Sequence, residues 1–306
     1  MPSNSARPYS HPQDLPAVIA FLKAVRPAAW INEYPGLVDL QEAMDRPTIR
    51  KTMRLWTKDL DDLVGFAFVL EPYNNLHFEI RPEFEGEIEE DVIAWGMACA
   101  QRSRTKEEPD TLDASCRDDD LQRIALLERQ GFILQEMNTL RMSRNLNDPL
   151  PTPRLPEGFS IRSSEGEKEV DLILTLHRAA FGTSNMTREE RLTIIRAPEY
   201  DPALDLLAIA PDGRFAAYCT CSISSAENRV SGMRVGHTDP VATHPDFRRR
   251  GLACALLLRG SQLLKERGME LAMLGTSSEN LAMQKAAQAA GFRVYSKRIW
   301  FSKLLP

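Results

Sequence analysis

Residues 244–260 read HPDFRRRGLACALLLRG. Arg248, Arg249 and Arg250 run into Gly251, and an apolar stretch with helical spacing follows. A strand, a short glycine-containing loop and a helix together make a phosphate site. The first turn of a helix carries N–H groups without intrahelical acceptors, the helix dipole adds to their pull, and pyrophosphate binds to such backbone donors. Gly251 permits close approach of the backbone, and guanidinium forks match phosphate oxygens. The plainer alternative is a solvated turn at the mouth of a helix. Upstream, GHTDPVATH (236–244) reads as a strand, with Pro240 placing it at an edge or a bulge. Two-residue alternation puts His237, Asp239, Val241 and Thr243 on one face. His237 and Asp239 are therefore candidate bases beside the loop, although either could instead serve a turn. His244, before Pro245, is read as structural.

The elements that must position these residues can be read in order. GFSIRSS (158–164) alternates like a strand, and GEKEVDLILTLHRAAF sets Val170, Ile173, Leu174 and His177 at helical spacing. TREERLTIIRA is a second helix, with Thr187 as N-cap and Glu190 three residues on. LDLLAIA (204–210) and RFAAYCTCSIS (214–224) form a hairpin around Asp212-Gly213. After the arginine loop come a helix over 252–267 and MELAMLGT (269–276), an apolar run expected of a strand covered on both faces. Asn280, another helix and Gly291-Phe292 follow.

DPLPTPRLPEG carries prolines at 149, 151, 153 and 156, the composition of an extended connector. The expected organisation is a domain at 1–147, a linker at 148–157 and a domain at 158–306. Both halves end alike, in LQRIALLERQGFILQEMNTLRMS and LAMQKAAQAAGFRVYSKRIWFSK. Gly131 and Gly291, 160 residues apart, are each placed to end a helix in a left-handed cap. That points to a domain duplicated in tandem. Charge divides unevenly. Residues 1–150 carry 17 Lys and Arg against 26 Asp and Glu, and residues 151–306 carry 21 against 17. A small anionic ligand suits the second half, and nothing is basic enough for a nucleic-acid partner. No apolar run reaches the length of a membrane span, and MPSNSARPYSHP lacks the core of a signal peptide, so a cytoplasmic protein without a membrane partner is expected. The cysteines 99, 116, 219, 221 and 254 form no CxxC pair, so no metal is expected. Cys219 and Cys221 share one face of a strand, as core residues do.

Arg248-x-x-Gly251-x-Ala253 resembles the acyl-CoA pyrophosphate loop, Q/R-x-x-G-x-G/A, of the GCN5-related N-acetyltransferases (the GNAT superfamily). The order strand, loop, helix, strand, Asn, helix, Gly-Phe, strand extends that resemblance over most of 158–306. It implies an α/β fold with an α+β mixed sheet in two tandem GNAT-like domains, and acetyl-CoA as cosubstrate. It implies that the backbone of Val241, Ala242 and Thr243 pairs with the pantetheine arm. Arg248, Arg249, Arg250, Gly251, Leu252, Ala253 and Cys254 would hold the pyrophosphate. Asn280 and Met283 would meet the pantetheine region, with Asn280 also fit to cap a helix. A base is expected near His237 or Asp239. The family's usual tyrosine acid, four residues before the Gly of Gly-Phe, is Ala287 here, which leaves Tyr295 or Tyr218 as substitutes, an unaided thiolate, or no catalysis.

The matching stretch of the first half, RPEFEGEIEE, replaces the arginines and sets Glu83, Glu85, Glu87, Glu89 and Glu90 where a pyrophosphate would sit. The first half is therefore expected to keep the fold without binding CoA. The expected function is acetyl transfer by direct attack of a primary amine of a small molecule or peptide. The alternatives are a catalytically silent CoA-binding module or regulatory pseudo-acetyltransferase, and a structural partner docking through the acidic half. Glu189, Glu190 and Glu199 could attract a cationic amine, and a solvated helix face explains them as well.

Overall fold

Each half of the chain closes on a helix, a Gly-Phe pair and one long strand, and these endings organise the rest. The computed structural model describes residues 5–59, 62–70, 74–103, 110–183 and 186–306. The first half runs β1 (Ser5–Pro8), α1 (Leu15–Val25), α2 (Leu37–Asp45), α3 (Pro47–Lys51), β2 (Met53–Lys58), β3 (Asp62–Leu70), β4 (Asn75–Ile80), α4 (Glu89–Ser103), β5 (Thr111–Arg117), α5 (Leu121–Arg129) and β6 (Ile133–Asn145). The second runs β7 (Ser160–Ser163), α6 (Val170–Phe181), α7 (Arg188–Arg196), β8 (Asp205–Ile209), β9 (Phe215–Thr220), α8 (Ser225–Ser231), β10 (Val235–His237), β11 (Val241–Thr243), α9 (Leu252–Glu266), β12 (Leu271–Ser277), α10 (Leu281–Ala289) and β13 (Arg293–Leu304). The class is the expected mixed α/β.

Both Gly-Phe pairs close a helix with the same two bonds. Phe132 N donates to Leu127 O at 3.0 Å and Gly131 N to Glu128 O at 3.0 Å. Phe292 N donates to Ala287 O at 2.9 Å and Gly291 N to Gln288 O at 2.9 Å. The glycines sit at φ +77° and +85°, where a side chain would be strained. Phe132 and Phe292 are buried.

The compact units exchange segments. One comprises the described residues up to Asn138 with Ala226–Gly232 and Arg298–Pro306, and the other Thr139–Ser225 with Met233–Lys297. The 148–157 segment therefore lies inside the second unit and does not separate two contiguous domains. The reason is strand pairing. From Thr139 onward β6 pairs antiparallel with β12, whereas from Arg298 onward β13 pairs antiparallel with β5. A sheet edge takes whichever strand completes its ladder, and the last strand of each half completes the other half's sheet.

In the first unit β1 to β4 form an antiparallel meander. β4 then runs parallel to β5 at only Asn75↔Asp113 and Leu76↔Ala114 before the strands part. Phe21, Leu22 and Leu40 pack with Phe66 and Phe68 on one face of β3, and Val92 and Ile93 of α4 pack with Val64 and Ala67 on the other. In the second unit β11, β9, β8 and β7 form an antiparallel sheet, while β12 pairs parallel with β10. Alternation splits β8: Leu206 and Ala208 join Leu256 and Leu257 of α9, and Leu207 joins Ile173 and Leu176 of α6. Cys219 and Cys221 lie in the α9 core as expected.

Helix α9 sits close because two positions lack side chains. A Cβ on Gly260 would lie 2.5 Å from Cys221 Sγ, and one on Gly236 would lie 2.5 Å from Leu264 Cδ2. Gly236→Ala is expected to lose about 1–3 kcal/mol through overpacking, measured as a lower urea midpoint at unchanged m-value.

Candidate active site

GHTDPVATH is not one strand. β10 ends at His237 and β11 begins at Val241. Pro240 has no N–H to carry a ladder onward, and the chain changes partner there, from β12 to β9. This corrects the single-face reading of His237, Asp239, Val241 and Thr243. His237 is held in β10 by reciprocal backbone bonds with Ser222. The Asp239 carboxylate accepts from Gly275 N at 2.9 Å, and Thr238 N donates to Met273 O at 2.8 Å. Asp239 thus fastens β12 at the point where β11 swings away. Beyond that point a V opens between β11 and the end of β12. Among the described residues β11 pairs only with β9, so its outer edge offers backbone donors and acceptors to an extended amide chain.

The arginine loop stands at the end of β11. A single 3-10 turn, Pro245–Phe247, leads into Arg248, then Arg249 at φ +61° and Gly251 at φ +80°. α9 starts at Leu252 with no acidic residue in its first turn. Ala255 N donates to Gly251 O at 3.0 Å, so the amides of Leu252, Ala253 and Cys254 have no acceptor within the helix. The three arginines divide their roles. Arg248 Nη2 donates to Ala180 O at 2.9 Å at the end of α6. The Arg250 guanidinium stacks 5.9 Å from the Phe159 ring and 5.8 Å from Phe247. Arg249 is exposed and has no partner among the described residues. Backbone amides, a left-handed arginine and an edge strand fit a pyrophosphate with an amide-bearing arm.

Asn280 is the N-cap of α10, its Oδ1 accepting from Met283 N at 3.1 Å. Met283 is half-buried against the core. Ala287 is fully buried in that core, so no space exists there for the family's tyrosine. Tyr295 is 46% exposed on β13, and among the described residues no hydrogen bond ties it to the loop or to β10 and β11. Glu190 closes the capping box with Thr187 and Glu199 accepts from Ser225 N at 3.0 Å, so both have local uses.

Sequence reasoning did not join His177 to Tyr218. The His177 Nδ1 and the Tyr218 hydroxyl are 2.7 Å apart, with Tyr218 in register with Ala242 of β11. Burial pushes the Tyr218 phenol up. Burial, then Arg191 and Arg178, pushes the His177 imidazole down. At neutral pH the pair is a neutral imidazole bonded to a protonated phenol, able to hand on one proton. Each residue was visible in its own pattern, His177 in a helical stripe and Tyr218 in a strand, but they lie 41 residues apart.

The first unit repeats the frame of the loop. Its turn Pro82–Phe84 and helix α4 match Pro245–Phe247 and α9, both helices being 15 residues long. Gly86 at φ +90° takes the place of Arg249, and buried Ile88 that of Gly251. Gly86 N donates to Glu89 Oε2 at 2.7 Å, so a carboxylate already sits on a loop amide. Desolvation, then Glu89 and Asp120, raises the Glu85 carboxyl.

Residues 170–292 match the acetyltransferase (GNAT) family. That match takes in the arginine loop, Asn280 and the Gly291-Phe292 pair. A GCN5-related N-acetyltransferase from Sphaerobacter thermophilus has the same fold, with TM-score 0.72 and 21% identity over 99% of this chain and 96% of that one. A tandem GNAT protein from the clavulanic acid biosynthesis pathway matches at TM-score 0.73 and 15% identity, over 99% of each chain. The architecture is accordingly that of two tandem GNAT folds. A mycothiol acetyltransferase of Thermobispora bispora is 28% identical over 178 residues, covering 56% of this chain and 60% of that protein. Among the described residues no cluster of His, Cys, Asp and Glu could hold a metal ion, and no helix is long and apolar enough to cross a membrane.

Proposed function

We propose that the second unit is an acetyl-CoA-dependent N-acetyltransferase acting on a primary amine of a small molecule. The observation that carries this reading is the open first turn of α9, with Arg249 beside it, standing at the end of an edge strand. The name of the Thermobispora bispora relative supports a small-molecule acceptor. The bound cosubstrate supplies an activated thioester. The protein's own work is binding and proton handling. The amides of Leu252, Ala253 and Cys254 and the Arg249 guanidinium hold pyrophosphate, the outer edge of β11 aligns the arm, and Asp239 keeps the V open by fixing Gly275. A neutral amine attacks the thioester carbon, the N–C bond forms as C–S breaks, and the amine proton leaves as the thiolate gains one. We assign the first transfer to His237. The proton that the thiolate gains we assign to the His177–Tyr218 pair, in place of exposed Tyr295.

Calorimetric titration of the whole protein with acetyl-CoA tests the binding half: one site is expected, lost in Gly251→Glu. Two sites would show that the first unit's acidic loop does not exclude the cosubstrate, and none would reduce the claim to fold. Turnover against a panel of amines tests the rest. Tyr218→Phe should keep acetyl-CoA affinity and lower kcat about 100-fold or more, the range of a lost proton donor. The silent CoA-binding module is a second reading, favoured by Ala287 in the core. It requires binding without turnover of any amine.

A further inference from the structure

The parting of β4 and β5 in the first unit opens a cavity of about 340 Å³. That volume falls within the roughly 300–1,000 Å³ of small-molecule sites. Its wall is charged in an uneven way. Arg26 and Arg123 both bind Glu79, and Arg117 and Arg298 both bind Glu33. Glu33 and Glu79 thus each hold two guanidiniums, and Arg117 also pairs with Asp119 at 2.7 Å. Glu85 and Asp120 line the cavity too, so its wall carries four carboxylates and four guanidiniums, and Asp120 is occupied in capping α5. Between the Tyr34 and Phe68 rings, at 5.4 and 5.0 Å, lies His77, whose Nε2 is buried without a hydrogen-bond partner. Trp30, Phe66 and Phe78 supply an apolar surround.

Two groups of the wall respond to burial and to the arginines around them. Burial, then Arg298 and Arg26, pushes His77 down to about 3. Desolvation raises the half-buried Glu79 carboxyl, but Arg26 and Arg123 outweigh it and hold Glu79 below its ordinary value. The arginine contributions to both shifts set guanidiniums close to His77 and Glu79. A chain of phosphates would have to pass the carboxylates of the 83–90 loop, whereas a single small carboxylate needs only one bidentate contact with a guanidinium of the wall.

We propose that the parted strands β4 and β5 of the first unit bind a small monocarboxylate with a compact apolar or aromatic body, recognised by the arginine-rich wall around Glu33 and Glu79 and by the unpartnered His77. The site is separate from the acetyl-CoA loop and does not rest on that reading. The test is calorimetric titration of the full chain with acetate, butyrate, benzoate and phenylacetate, and with phenylacetamide as the neutral counterpart of the last. One site for an aromatic carboxylate is expected, with the amide at least tenfold weaker. Val25→Phe, which fills the cavity from the end of α1 and leaves every ion pair in place, should abolish that binding without altering the acetyl-CoA titration. Arg298→Met should weaken it tenfold or more. Because Arg298 is buried against Glu33, circular dichroism must first show that variant folded, and Val25→Phe decides the matter if it is not. Binding of none of the carboxylates, equal binding of phenylacetamide, survival of binding in Val25→Phe, or displacement by acetyl-CoA would each overturn the proposal.

Discussion

Arg249→Gly is expected to make the protein more stable and a weaker binder of acetyl-CoA. Arg249 holds φ +61°, a left-handed conformation that costs an L-residue about 1–2 kcal/mol. Glycine removes that strain and gives back part of the gain as unfolded-state entropy, leaving about 1 kcal/mol of net stabilisation. No packing is lost, because the side chain is exposed and has no partner among the described residues. Binding moves the other way. A charge-assisted bond to phosphate is worth about 1.5–3 kcal/mol, so affinity should fall roughly 10- to 150-fold. Arg249→Ala separates the two effects, since it loses the charge and keeps the strain. The first unit has already made the glycine choice at the matching position, Gly86, together with the carboxylates that exclude phosphate. A strained residue kept only where the ligand would bind is how functional strain is distributed. Thermal melts and acetyl-CoA titration on the same preparations check both signs. Unchanged affinity in Arg249→Gly would remove this arginine from the cradle.

What could be read beforehand was local. The helix-ending Gly131-Phe132 and Gly291-Phe292 and the capping box at Thr187 and Glu190 are signals within a few residues of each other. The loop at Arg248–Gly251 is legible for the same reason, although sequence could not show that Arg248 binds Ala180 O and that Arg250 stacks on aromatic rings. Pro240 flagged an edge or a bulge, but the face reading failed because the strand changes partner, and pairing is a long-range choice. Alternation in β6 and β13 looks the same whichever sheet receives them, so the exchange of last strands had no local signature. The His177–Tyr218 bond was hidden for the same reason.

Asp205→Ala is expected to be the most damaging single change in the second unit. Asp205 and Arg191 are 1% and 2% exposed and form an ion pair from β8 to α7. The carboxylate also accepts from the Tyr200 hydroxyl at 2.8 Å and from Thr220 Oγ1 at 2.9 Å. Burial and then Asp205 itself hold the Tyr200 phenol well above its ordinary value, so it stays a donor. Removing the carboxylate strands a guanidinium whose Nε already lacks a partner, and breaking a buried pair from one side costs about 3–5 kcal/mol. Replacing both partners by apolar residues should cost much less than the two single changes together, because no charge is left behind. The arginine loop has contacts of its own, to Ala180 and the Phe159 and Phe247 rings. The folded fraction of Asp205→Ala should therefore bind acetyl-CoA normally while turnover of a bulky amine falls, because α7 and the Tyr200 turn lose their anchor on β8. Urea unfolding of the single and double variants measures the coupling. A loss below about 1 kcal/mol in Asp205→Ala, the size of an ordinary surface pair, would mean that water reaches Arg191 and that α7 is held by the Val170, Leu174 and Leu192 cluster alone.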